Sequence, residues 1–534
     1  MDKYEVLEKY FKYEGFRDVQ EETIDLLLKN ERVLCLMPTG GGKSLIYQVA
    51  GICIKKTTIV ISPLIALMNQ QHNQMLKLGF TSVNFSGMDY RKQFTTITNM
   101  LQGNLPQFIF VSPERISTDG YLEFALNRLK DKIGLVAIDE VHCVSQWGEG
   151  FRPAYRNIEV FINAIFGENG WPSLLCLTAT LNEKQQEQIK KEFKITTIVK
   201  GKNLWRDNLK LKIINIGSGK DETKDEELEK ILDKHKGEKI LVFVHRKFGN
   251  KGTTRTLYEK YKNVYEGVAF YDSDAPEELK EQVMNGFTEG TIKIVFATSA
   301  FGMGVDIADI RVVVNYLISE TVEQYYQEVG RGGRDGKPAY GYLLYSNQSK
   351  HGRLKLLNSS LCTKKQIIDM YNDCKLKVNE NFKSASYDSM NEEQRISFSL
   401  LIDYGVINII SKGLISVKCL KGNTLKGKQF IEDLLSYSKT GLTKIIATKA
   451  GKNISSISSE IWNLCASRDI VFSKAPSRTL FYKTRDELPE ELVEKIVKDQ
   501  ESKKKLRLEA FQFFVDGIEA GKTTEEIIRE ALDI

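Results

Sequence analysis

Short runs of apolar and β-branched residues alternate with longer segments of helical periodicity in the first part of the chain. These runs occupy residues 32–36, 57–62, 108–112, 134–140 and 174–180. Strands that alternate with helices form βαβ units, and such units build a parallel sheet covered by helices. The pattern therefore predicts an α/β domain.

The same alternation begins again after a charged segment at residues 217–230. The later apolar runs occupy residues 239–246, 267–271, 293–298, 312–316 and 340–346. A chain of 534 residues is also too long for one hydrophobic core. We therefore expect a second α/β domain, with the boundary near residues 200 to 225.

Beyond about residue 350, helical periodicity dominates and Lys, Ser and Asn become frequent. Residues 455–482 predict a capped helix followed by two short strands around a Pro-Ser turn. This helix-plus-hairpin order suits a winged helix, which docks on DNA in some proteins and only holds proteins together in others, so both alternatives stay open. The basic run of Lys503, Lys504, Lys505 and Arg507 predicts a solvated helix face, with a phosphate contact as the lesser alternative.

The sequence thus predicts an α/β fold with two tandem parallel-sheet domains and a mostly helical C-terminal region that holds the winged helix. The two α/β domains are expected at residues 1–205 and 206–350. A helical region is expected at residues 351–440, and the winged helix with further helices at 441–534.

Composition narrows the class of protein. Apolar residues make up 42% of the chain and charged residues 27%, and no apolar run reaches the roughly 20 residues that span a bilayer. The N-terminal segment is charged and unlike a signal peptide, so we expect a cytoplasmic protein with no membrane contact.

The eight cysteines are scattered without a CxxC pair, which predicts reduced, mostly buried thiols. The net charge of +6 permits a polyanionic partner but does not require one.

A glycine-rich segment, MPTGGGKS at residues 37–44, lies between an apolar run and a helical segment. Glycines let backbone N–H groups approach phosphate oxygens at a helix N-terminus. In this frame Lys43 contacts the β- and γ-phosphates of ATP, and the Ser44 hydroxyl coordinates Mg²⁺. Met37 replaces the usual first glycine of the motif. The predicted nucleotide-binding residues of the segment are Thr39, Gly40, Gly41, Gly42, Lys43 and Ser44.

Two carboxylates, Asp139 and Glu140, end an apolar strand at the sheet edge where open α/β folds bind ligands. Asp139 is expected to hold the Mg²⁺ shell, and Glu140 to orient and deprotonate the attacking water. Such a pair alone usually marks a solvated loop or a helix N-cap. Its position on a later strand of the same α/β unit favours the catalytic interpretation.

The second α/β domain ends in a glycine-rich turn with two arginines, Arg331 and Arg334. A guanidinium is planar and always charged, which suits the charge that develops on a transferring phosphoryl group. If both arginines reach the phosphates at Lys43, hydrolysis requires closure of the cleft between the domains.

In their order along the chain, these motifs resemble those of the RecQ family of DNA helicases in helicase superfamily 2. The resemblance covers roughly residues 5–350 and rests on GFRDVQ, MPTGGGKS, ISPLIALMNQQ, VSPERIS, DEVHCVSQWGEGFRP, LTAT, ATSAFGMGVDIADIRVVVNY and YYQEVGRGGRDG. It implies two RecA-like domains with ATP and Mg²⁺ as cofactors. The implied catalytic residues are Lys43, Asp139, Glu140, Arg331 and Arg334, and the further nucleotide contacts are Arg17, Gln20, Asp306 and Gln327.

The segment after Glu140 resembles the aromatic loop with which this family senses single-stranded DNA. Trp147 and Phe151 offer stacking surfaces and Arg152 offers a cation. The resemblance adds Gln146 to this loop and makes His142 the relay of the nucleotide state. The alternative is that both aromatic residues belong to the core, but the neighbouring glycines and Pro153 favour a loop.

Several positions depart from the family pattern. Nothing matches its four-cysteine zinc module, so we predict no structural zinc site. Val141 and Gly332 replace alanines, Glu149 and Gly150 replace a His-Asp pair, and FYDSDAP stands where YHAGL is expected. The last change lies on the face with which a helicase grips its strand.

The resemblance implies an ATP-dependent 3′–5′ DNA helicase that acts in DNA repair or recombination, with single-stranded DNA and single-strand/duplex junctions as partners. The alternative is a DNA-stimulated ATPase motor of a larger genome-maintenance or defence complex that remodels without strand separation, with protein partners bound through the C-terminal region. A third hypothesis is a nucleic-acid-binding adaptor with a degenerate motor, against which the intact Lys43, Glu140, Arg331 and Arg334 argue. RNA remains an alternative substrate.

Overall fold

The fold is taken from a computed structural model of the chain. It describes residues 1–38, 40–144, 153–179, 181, 183–202, 205–217, 221–245, 252–272, 274–298, 301, 307–359, 361–386, 389–475 and 477–532.

A seven-stranded sheet forms the first lobe. Its strands are β1 (Arg32–Leu36), β2 (Thr57–Ile61), β3 (Ser82–Asn84), β4 (Phe108–Val111), β5 (Ile133–Ile138), β6 (Ser173–Thr178) and β7 (Thr197–Lys200). The strand order is β3-β4-β2-β5-β6-β1-β7 with parallel pairing. Strand β2 is buried along its whole length, since Ile59 and Ile61 enter one core and Val60 the other. Burial on both faces explains the continuous apolar runs in the sequence.

Helices cover both faces of this sheet. They are α1 (Lys3–Val6), α2 (Gln20–Leu28), α3 (Lys43–Ile54), α4 (Ile65–Lys77), α5 (Tyr90–Leu101), α6 (Pro113–Thr118), α7 (Gly120–Arg128), α8 (Asn157–Phe166) and α9 (Glu183–Glu192). A π-helical turn at Leu7–Phe11 follows α1, and 3₁₀ turns lie at Lys130–Lys132, Val141–Val144 and Pro153–Arg156.

A six-stranded sheet forms the second lobe. Its strands are β8 (Leu209–Asn215), β9 (Lys239–Phe243), β10 (Val268–Tyr271), β11 (Ile294–Ala297), β12 (Ile310–Asn315) and β13 (Ala339–Tyr345). The order is β10-β11-β9-β12-β13-β8, again with parallel pairing. The helices are α10 (Asp221–Lys234), α11 (Thr254–Tyr261), α12 (Glu277–Glu289) and α13 (Val322–Val329).

The predicted α/β architecture is confirmed, because each predicted apolar run overlaps a strand of one of the two parallel sheets. The sequence patterns missed β3, β7 and β8. Strand β3 has three residues, β7 has four, and only one residue of each is fully buried. Short or partly exposed strands at a sheet edge give little apolar signal.

The C-terminal region is mostly helical, as predicted, but it also contains two small antiparallel sheets. The helices are α14 (Asn347–Ser359), α15 (Lys364–Cys374), α16 (Glu392–Asp403), α17 (Leu425–Tyr437), α18 (Thr443–Lys449), α19 (Ile454–Ala466), α20 (Glu490–Glu519) and α21 (Thr524–Leu532). The strands are β14 (Lys383–Ala385), β15 (Ile407–Leu414), β16 (Leu420–Gly422), β17 (Ile470–Phe472) and β18 (Arg478–Thr484).

The helix and the two strands predicted for residues 455–482 correspond to α19, β17 and β18, but the predicted hairpin is wrong. Strand β17 pairs with β16, whereas β18 pairs with β14 and β15. Strand β18 has seven residues and a long antiparallel partner in β15, so it joins a different sheet from the three-residue β17.

Helix α19 and β17 attach to the first lobe through aromatic residues. The ring of Trp462 lies 5.1 Å from that of Tyr121, and the ring of Phe472 lies 3.7 Å from that of Phe94. A winged helix that docks on DNA would present its recognition helix to a groove. Here α19 instead packs against α5 and α7 of the first lobe.

Helices α20 and α21 attach to the second lobe. Phe514 of α20 packs against Tyr325 of α13, with ring centroids 5.5 Å apart. Arg507, from the predicted basic face, makes a two-pronged ion pair with Glu320 at 2.6 and 2.8 Å. The prediction of a solvated face is therefore wrong for Arg507, whereas Lys505 is exposed. The C-terminal region thus contacts both lobes.

The eight cysteines are free thiols, and all but the partly exposed Cys53 are buried, as predicted. Within the described ranges, no helix combines the length and the apolar character that a membrane crossing requires.

Candidate active site

The glycine-rich segment joins β1 to α3 in the first lobe. Helix α3 begins at Lys43, directly after Gly42. Gly40 and Gly42 have φ angles of 80° and 81°, a left-handed conformation that favours glycine. The Lys43 ammonium lies 3.4 Å from the carbonyl oxygen of Met37. The loop therefore has the strand, turn and helix order of a phosphate-binding loop.

Gln20 at the start of α2 holds this loop from behind. Its Nε2 donates to the carbonyl oxygens of Gly41 and Gly42, each at 3.1 Å, and its Oε1 accepts from the backbone N–H of Arg17 at 2.9 Å. A Cβ on Gly42 would lie 2.6 Å from Gln20 Nε2, so the contact is close. The sequence predicted a nucleotide contact for Gln20 and did not anticipate this role in holding the loop.

The two carboxylates follow β5, at the same edge of the sheet. Tyr155 donates its hydroxyl to the Asp139 carbonyl oxygen at 2.8 Å, and Ser62 Oγ lies 3.4 Å from Asp139 Oδ2. Glu140 has a φ of 50°, which is uncommon for a residue with a Cβ. Backbone strain of this kind is found mostly at functional sites.

Burial and the adjacent charges move the pKa values of the two carboxyls in opposite directions. Burial, and then the charge of Glu140, raise the pKa of Asp139. Burial also opposes the ionisation of Glu140, but Lys43, His142 and Arg331 outweigh it and lower its pKa. Glu140 is therefore held as a carboxylate, the form that accepts a proton from water.

His142 connects Glu140 with the end of β6. Its Nδ1 lies 3.2 Å from Glu140 Oε2 and 3.0 Å from Thr178 Oγ1, and its Nε2 lies 3.7 Å from Cys143 Sγ. Burial opposes a charge on the ring, but Cys143 and Glu140 raise the pKa of His142 to about 10. Thr178 belongs to the LTAT segment, so His142 connects this segment with Glu140.

The second lobe brings the glycine-rich turn at residues 330–336, which holds Arg331 and Arg334 and is called the arginine turn below, to this edge. A Cβ on Gly40 would lie 3.4 Å from Arg334 Cγ, which places that side chain against the glycine-rich loop. The charge of Arg331 contributes to the lowered pKa of Glu140. Burial and the charge of Arg334 lower the pKa of Arg331, so two cations share a poorly solvated space. Such an arrangement favours an anion between the lobes.

The residues proposed for Mg²⁺ suit a hard cation. Ser44 and Asp139 supply hydroxyl and carboxylate oxygens, the ligands that Mg²⁺ prefers. Asp139 is only 7% exposed, and its raised pKa reflects a buried carboxyl beside a second one. A cation at this position would relieve that repulsion.

Several predicted site residues lie outside the described part of the chain: Thr39, Gln146, Trp147, Phe151, Arg152 and Asp306. The predicted aromatic loop is therefore not described. Arg17 is exposed, with its guanidinium 5.9 Å from the centre of the Tyr13 ring. Gln327 lies partly buried on α13, next to the arginine turn. In the described ranges, no three or more His, Cys, Asp or Glu residues gather in a metal-binding cluster.

Two protein-family descriptions match the chain. Residues 17–189 match the DEAD/DEAH box helicase family, and residues 223–336 match the helicase conserved C-terminal domain. The first match contains the glycine-rich loop and both carboxylates, and the second ends at the arginine turn.

Curated relatives include ATP-dependent DNA helicase RecQ of Bacillus subtilis, 32% identical over 369 residues, which are 68% of this chain and 60% of the relative. ATP-dependent DNA helicase hus2/rqh1 of Schizosaccharomyces pombe is 33% identical over 364 residues, 66% of this chain and 26% of the relative. The chain thus spans 60% or less of the length of these relatives.

Solved structures share the fold at low identity. Dbp5 of S. cerevisiae bound to RNA and ADP BeF3 has a TM-score of 0.51 and 18% identity, and the match covers 67% of this chain and 92% of that one. The DUF1998 helicase MrfA bound to DNA has a TM-score of 0.53 and 14% identity, and the match covers 76% of this chain and 61% of that one. These likenesses show the two-lobed helicase fold.

Proposed function

Since the chain belongs to the RecQ family of helicase superfamily 2, we propose that it is an ATP-dependent DNA helicase that translocates 3′ to 5′ on single-stranded DNA. In this proposal it unwinds duplexes in DNA repair or recombination. The observation that carries the ATPase part is the meeting of charges from two lobes at one sheet edge. Lys43 and Glu140 come from the first lobe, and Arg331 and Arg334 from the second.

Each group has a task in hydrolysis. The loop N–H groups and Lys43 bind the phosphates, and Arg17, Gln20, Asp306 and Gln327 are the proposed contacts to the rest of the nucleotide. Ser44 and Asp139 would hold Mg²⁺, which neutralises phosphate charge when bound. Glu140 takes a proton from the attacking water, because its lowered pKa keeps it ionised. The two arginines stabilise the negative charge of the transition state.

DNA as the substrate rests on two observations. The curated relatives are named DNA helicases. Positive charge is also concentrated in residues 412–478, which hold twelve lysines and arginines and four acidic residues, a net charge of +8 against +6 for the whole chain. An excess of positive charge of this kind attracts the phosphate backbone. The proposed sensor of the bound strand is the segment with Gln146, Trp147, Phe151 and Arg152, coupled to Glu140 through His142.

A second candidate is a DNA-stimulated ATPase motor of a larger genome-maintenance or defence complex, which moves or remodels without strand separation. The observation in its favour is that α19, the helix of the predicted winged helix, packs on the first lobe.

The test is steady-state ATP hydrolysis by the wild type and by Glu140→Gln, each alone, with single-stranded DNA and with RNA of the same sequence. We expect strong stimulation of the wild type by DNA and almost no turnover by the variant. Duplexes with a 3′ or a 5′ single-stranded tail then distinguish the candidates. Unwinding of the 3′-tailed duplex supports the helicase, whereas stimulated hydrolysis without unwinding supports the remodelling motor.

Hydrolysis that does not respond to DNA would contradict both candidates. Stronger stimulation by RNA than by DNA would move the substrate class to RNA. Binding of an ATP analogue by Glu140→Gln serves as the control that the variant keeps its nucleotide site.

A further inference from the structure

The segment that joins the two lobes, called the linker below, is hydrogen-bonded to the arginine turn. Residues 205–208 lie between β7 of the first sheet and β8 of the second. Arg206 Nη1 donates to the carbonyl oxygen of Gly330 at 2.7 Å, and its Nη2 donates to the carbonyl oxygen of Gly333. These two carbonyls belong to the residues that immediately precede Arg331 and Arg334. One guanidinium therefore fixes the backbone beside both arginines.

Asn208 also binds the backbone of the arginine turn. Its Nδ2 donates to the carbonyl oxygens of Gly333 at 2.7 Å and of Lys337 at 2.8 Å. Gly333 has a φ of 58°, and a Cβ there would lie 2.6 Å from Asn208 Nδ2. Only a glycine fits this close approach, so linker and turn are packed as one unit.

The position of Arg206 carries an electrostatic cost. Burial, and then the charge of Arg334, lower the pKa of Arg206. A third cation beside two arginines is unfavourable unless strong acceptors hold it, and backbone carbonyls of the turn do so here. A bidentate guanidinium suits this task because its donors are fixed in one plane.

The neighbouring Trp205 ties the linker to the rest of the second lobe. Its ring stacks on Tyr326 of α13, with centroids 5.7 Å apart and planes within 2°. The guanidinium of Arg529 on α21 lies 5.1 Å from the centre of the Trp205 ring. The linker is thus packed between the helix that precedes the arginine turn and the last helix described.

We propose that Arg206 is a positioning residue for ATP hydrolysis: it holds Arg331 and Arg334 in the geometry that the transition state requires. This inference rests on the proposed ATPase function and adds a residue to it. Arg206 also donates to Asn208 Oδ1 at 3.3 Å within the linker, and its bonds to the turn go to the backbone, so it acts through the two arginines. Because it lies in the linker, a change in the linker when the lobes move reaches the arginines directly.

The test compares Arg206→Gln with the wild type in steady-state ATP hydrolysis at saturating single-stranded DNA. We expect kcat to fall about 100-fold, the loss typical of a catalytic group misplaced by about 1 Å. The KM for ATP and the affinity for a non-hydrolysable ATP analogue should stay within about twofold, because phosphate binding in the first lobe is intact. Arg206→Lys keeps the charge but cannot span both carbonyls, so it should lose about 10-fold.

A matched control is Lys239→Gln. Lys239 is a buried cation of the same lobe at the amino end of β9, where it donates to the Thr288 carbonyl oxygen and to Asp309, each at 2.8 Å, and neither partner belongs to the arginine turn. It should keep the wild-type kcat. Thermal melting of every variant tests the fold, and Asn208→Ala supplies a second way to loosen the turn if Arg206→Gln does not fold.

A double-mutant cycle separates positioning from general damage. In an Arg331→Ala/Arg334→Ala background, Arg206→Gln should cause little further loss of the residual kcat, because both groups that it positions are already missing. An equal loss in both backgrounds, or a normal kcat in folded Arg206→Gln, would overturn this inference while leaving the ATPase proposal intact. Absence of hydrolysis by the wild type would overturn both.

Discussion

Each lobe has a glutamate at the carboxyl edge of its sheet, the partly buried Glu140 and the buried Glu328, and the two carboxylates have different surroundings. Glu328 on α13 reaches the ends of β9 and β12, where four side chains surround it. Its oxygens lie 3.1 Å from His245 Nε2, 2.8 Å from Ser319 Oγ and 2.9 Å from Gln324 Nε2, and Asn315 Nδ2 also donates to it. Glu140 in the first lobe is instead surrounded by the charges of Lys43, His142 and Arg331.

This difference separates a structural carboxylate from a reactive one. Both groups have a lowered pKa, although burial opposes ionisation at each. The partners of Glu328 all come from its own lobe, so its environment does not change when the lobes move. Part of the charge that lowers the pKa of Glu140 comes from Arg331 across the cleft. We infer that Glu328 fixes α13 and that Glu140 reacts only when the cleft is closed.

The largest expected effect comes from removal of the cation that the second lobe supplies. Arg334→Ala should lower kcat by about 10³-fold or more, the range measured for arginine residues that stabilise phosphoryl transfer. Steady-state hydrolysis with single-stranded DNA measures the loss. Arg334→Lys is the control for charge without a planar fork, and a kcat near the wild-type value in Arg334→Ala would show that Arg334 does not take part in the chemistry.

Glu140→Gln should have the next largest effect. Loss of a general base costs typically about 10² to 10⁴-fold, and glutamine keeps the shape of the side chain but accepts no proton. The affinity for ATP should be retained, which equilibrium binding of a fluorescent ATP analogue measures. A variant that lost ATP binding along with turnover would indicate that Glu140 acts in binding and not in proton transfer.

Glu328→Gln should mainly change stability. We expect the free energy of unfolding at pH 7 to fall by about 1 to 3 kcal/mol, since a buried network loses its charge, while kcat falls less than about tenfold. The folded pKa of Glu328 is below its usual value, so its contribution to stability is present above about pH 4.3 and is lost as pH falls through the folded pKa. The difference in melting temperature between wild type and variant should therefore shrink in acid.

A difference in melting temperature that grew below about pH 4 would contradict that assignment of Glu328. So would a loss of kcat as large as that of Glu140→Gln, because it would make the two carboxylates equivalent.

Tyr155→Phe should have the smallest effect. The variant loses one buried hydrogen bond to the Asp139 carbonyl oxygen, worth about 1 kcal/mol of unfolding free energy. Urea unfolding measures the change, and kcat should stay within about threefold, the effect of a slight shift in the carboxylates. A loss of activity without loss of stability would mean that the Tyr155 hydroxyl takes part in the site.

The sequence predicted the strands and the site residues well where a continuous apolar run leads into residues of recognisable chemistry. Strands such as β2 and β5 are buried on both faces and give continuous apolar runs. Asp139 and Glu140 directly follow β5, and Lys43 follows the glycine-rich loop after β1. Their place at one sheet edge follows from the topology of parallel sheets. Predictions for Trp147 and the rest of the aromatic loop stay predictions, because this loop lies outside the described residues.

Contacts between segments far apart in the chain could not be predicted. Lys412 of β15 donates to the Ile116 carbonyl oxygen at 2.9 Å and to Glu123 at 2.5 Å, although nearly 300 positions separate them. The backbone of Lys412 also approaches so closely that a Cβ on Gly120 would lie 2.2 Å from its carbonyl oxygen. A single glycine at the start of α7 was the only local signal of this contact, and such a signal does not identify the partner.

The measurement that tests the shared site most directly compares the binding of ADP alone with that of ADP plus aluminium fluoride, a mimic of the transferring phosphoryl group. It uses the wild type and the Arg331→Ala/Arg334→Ala double variant. We predict that the wild type binds ADP much more tightly with the fluoride than without it, and that the variant binds both equally, with an unchanged affinity for ADP. A variant that kept the full preference for the mimic would contradict the claim that the second lobe completes the site.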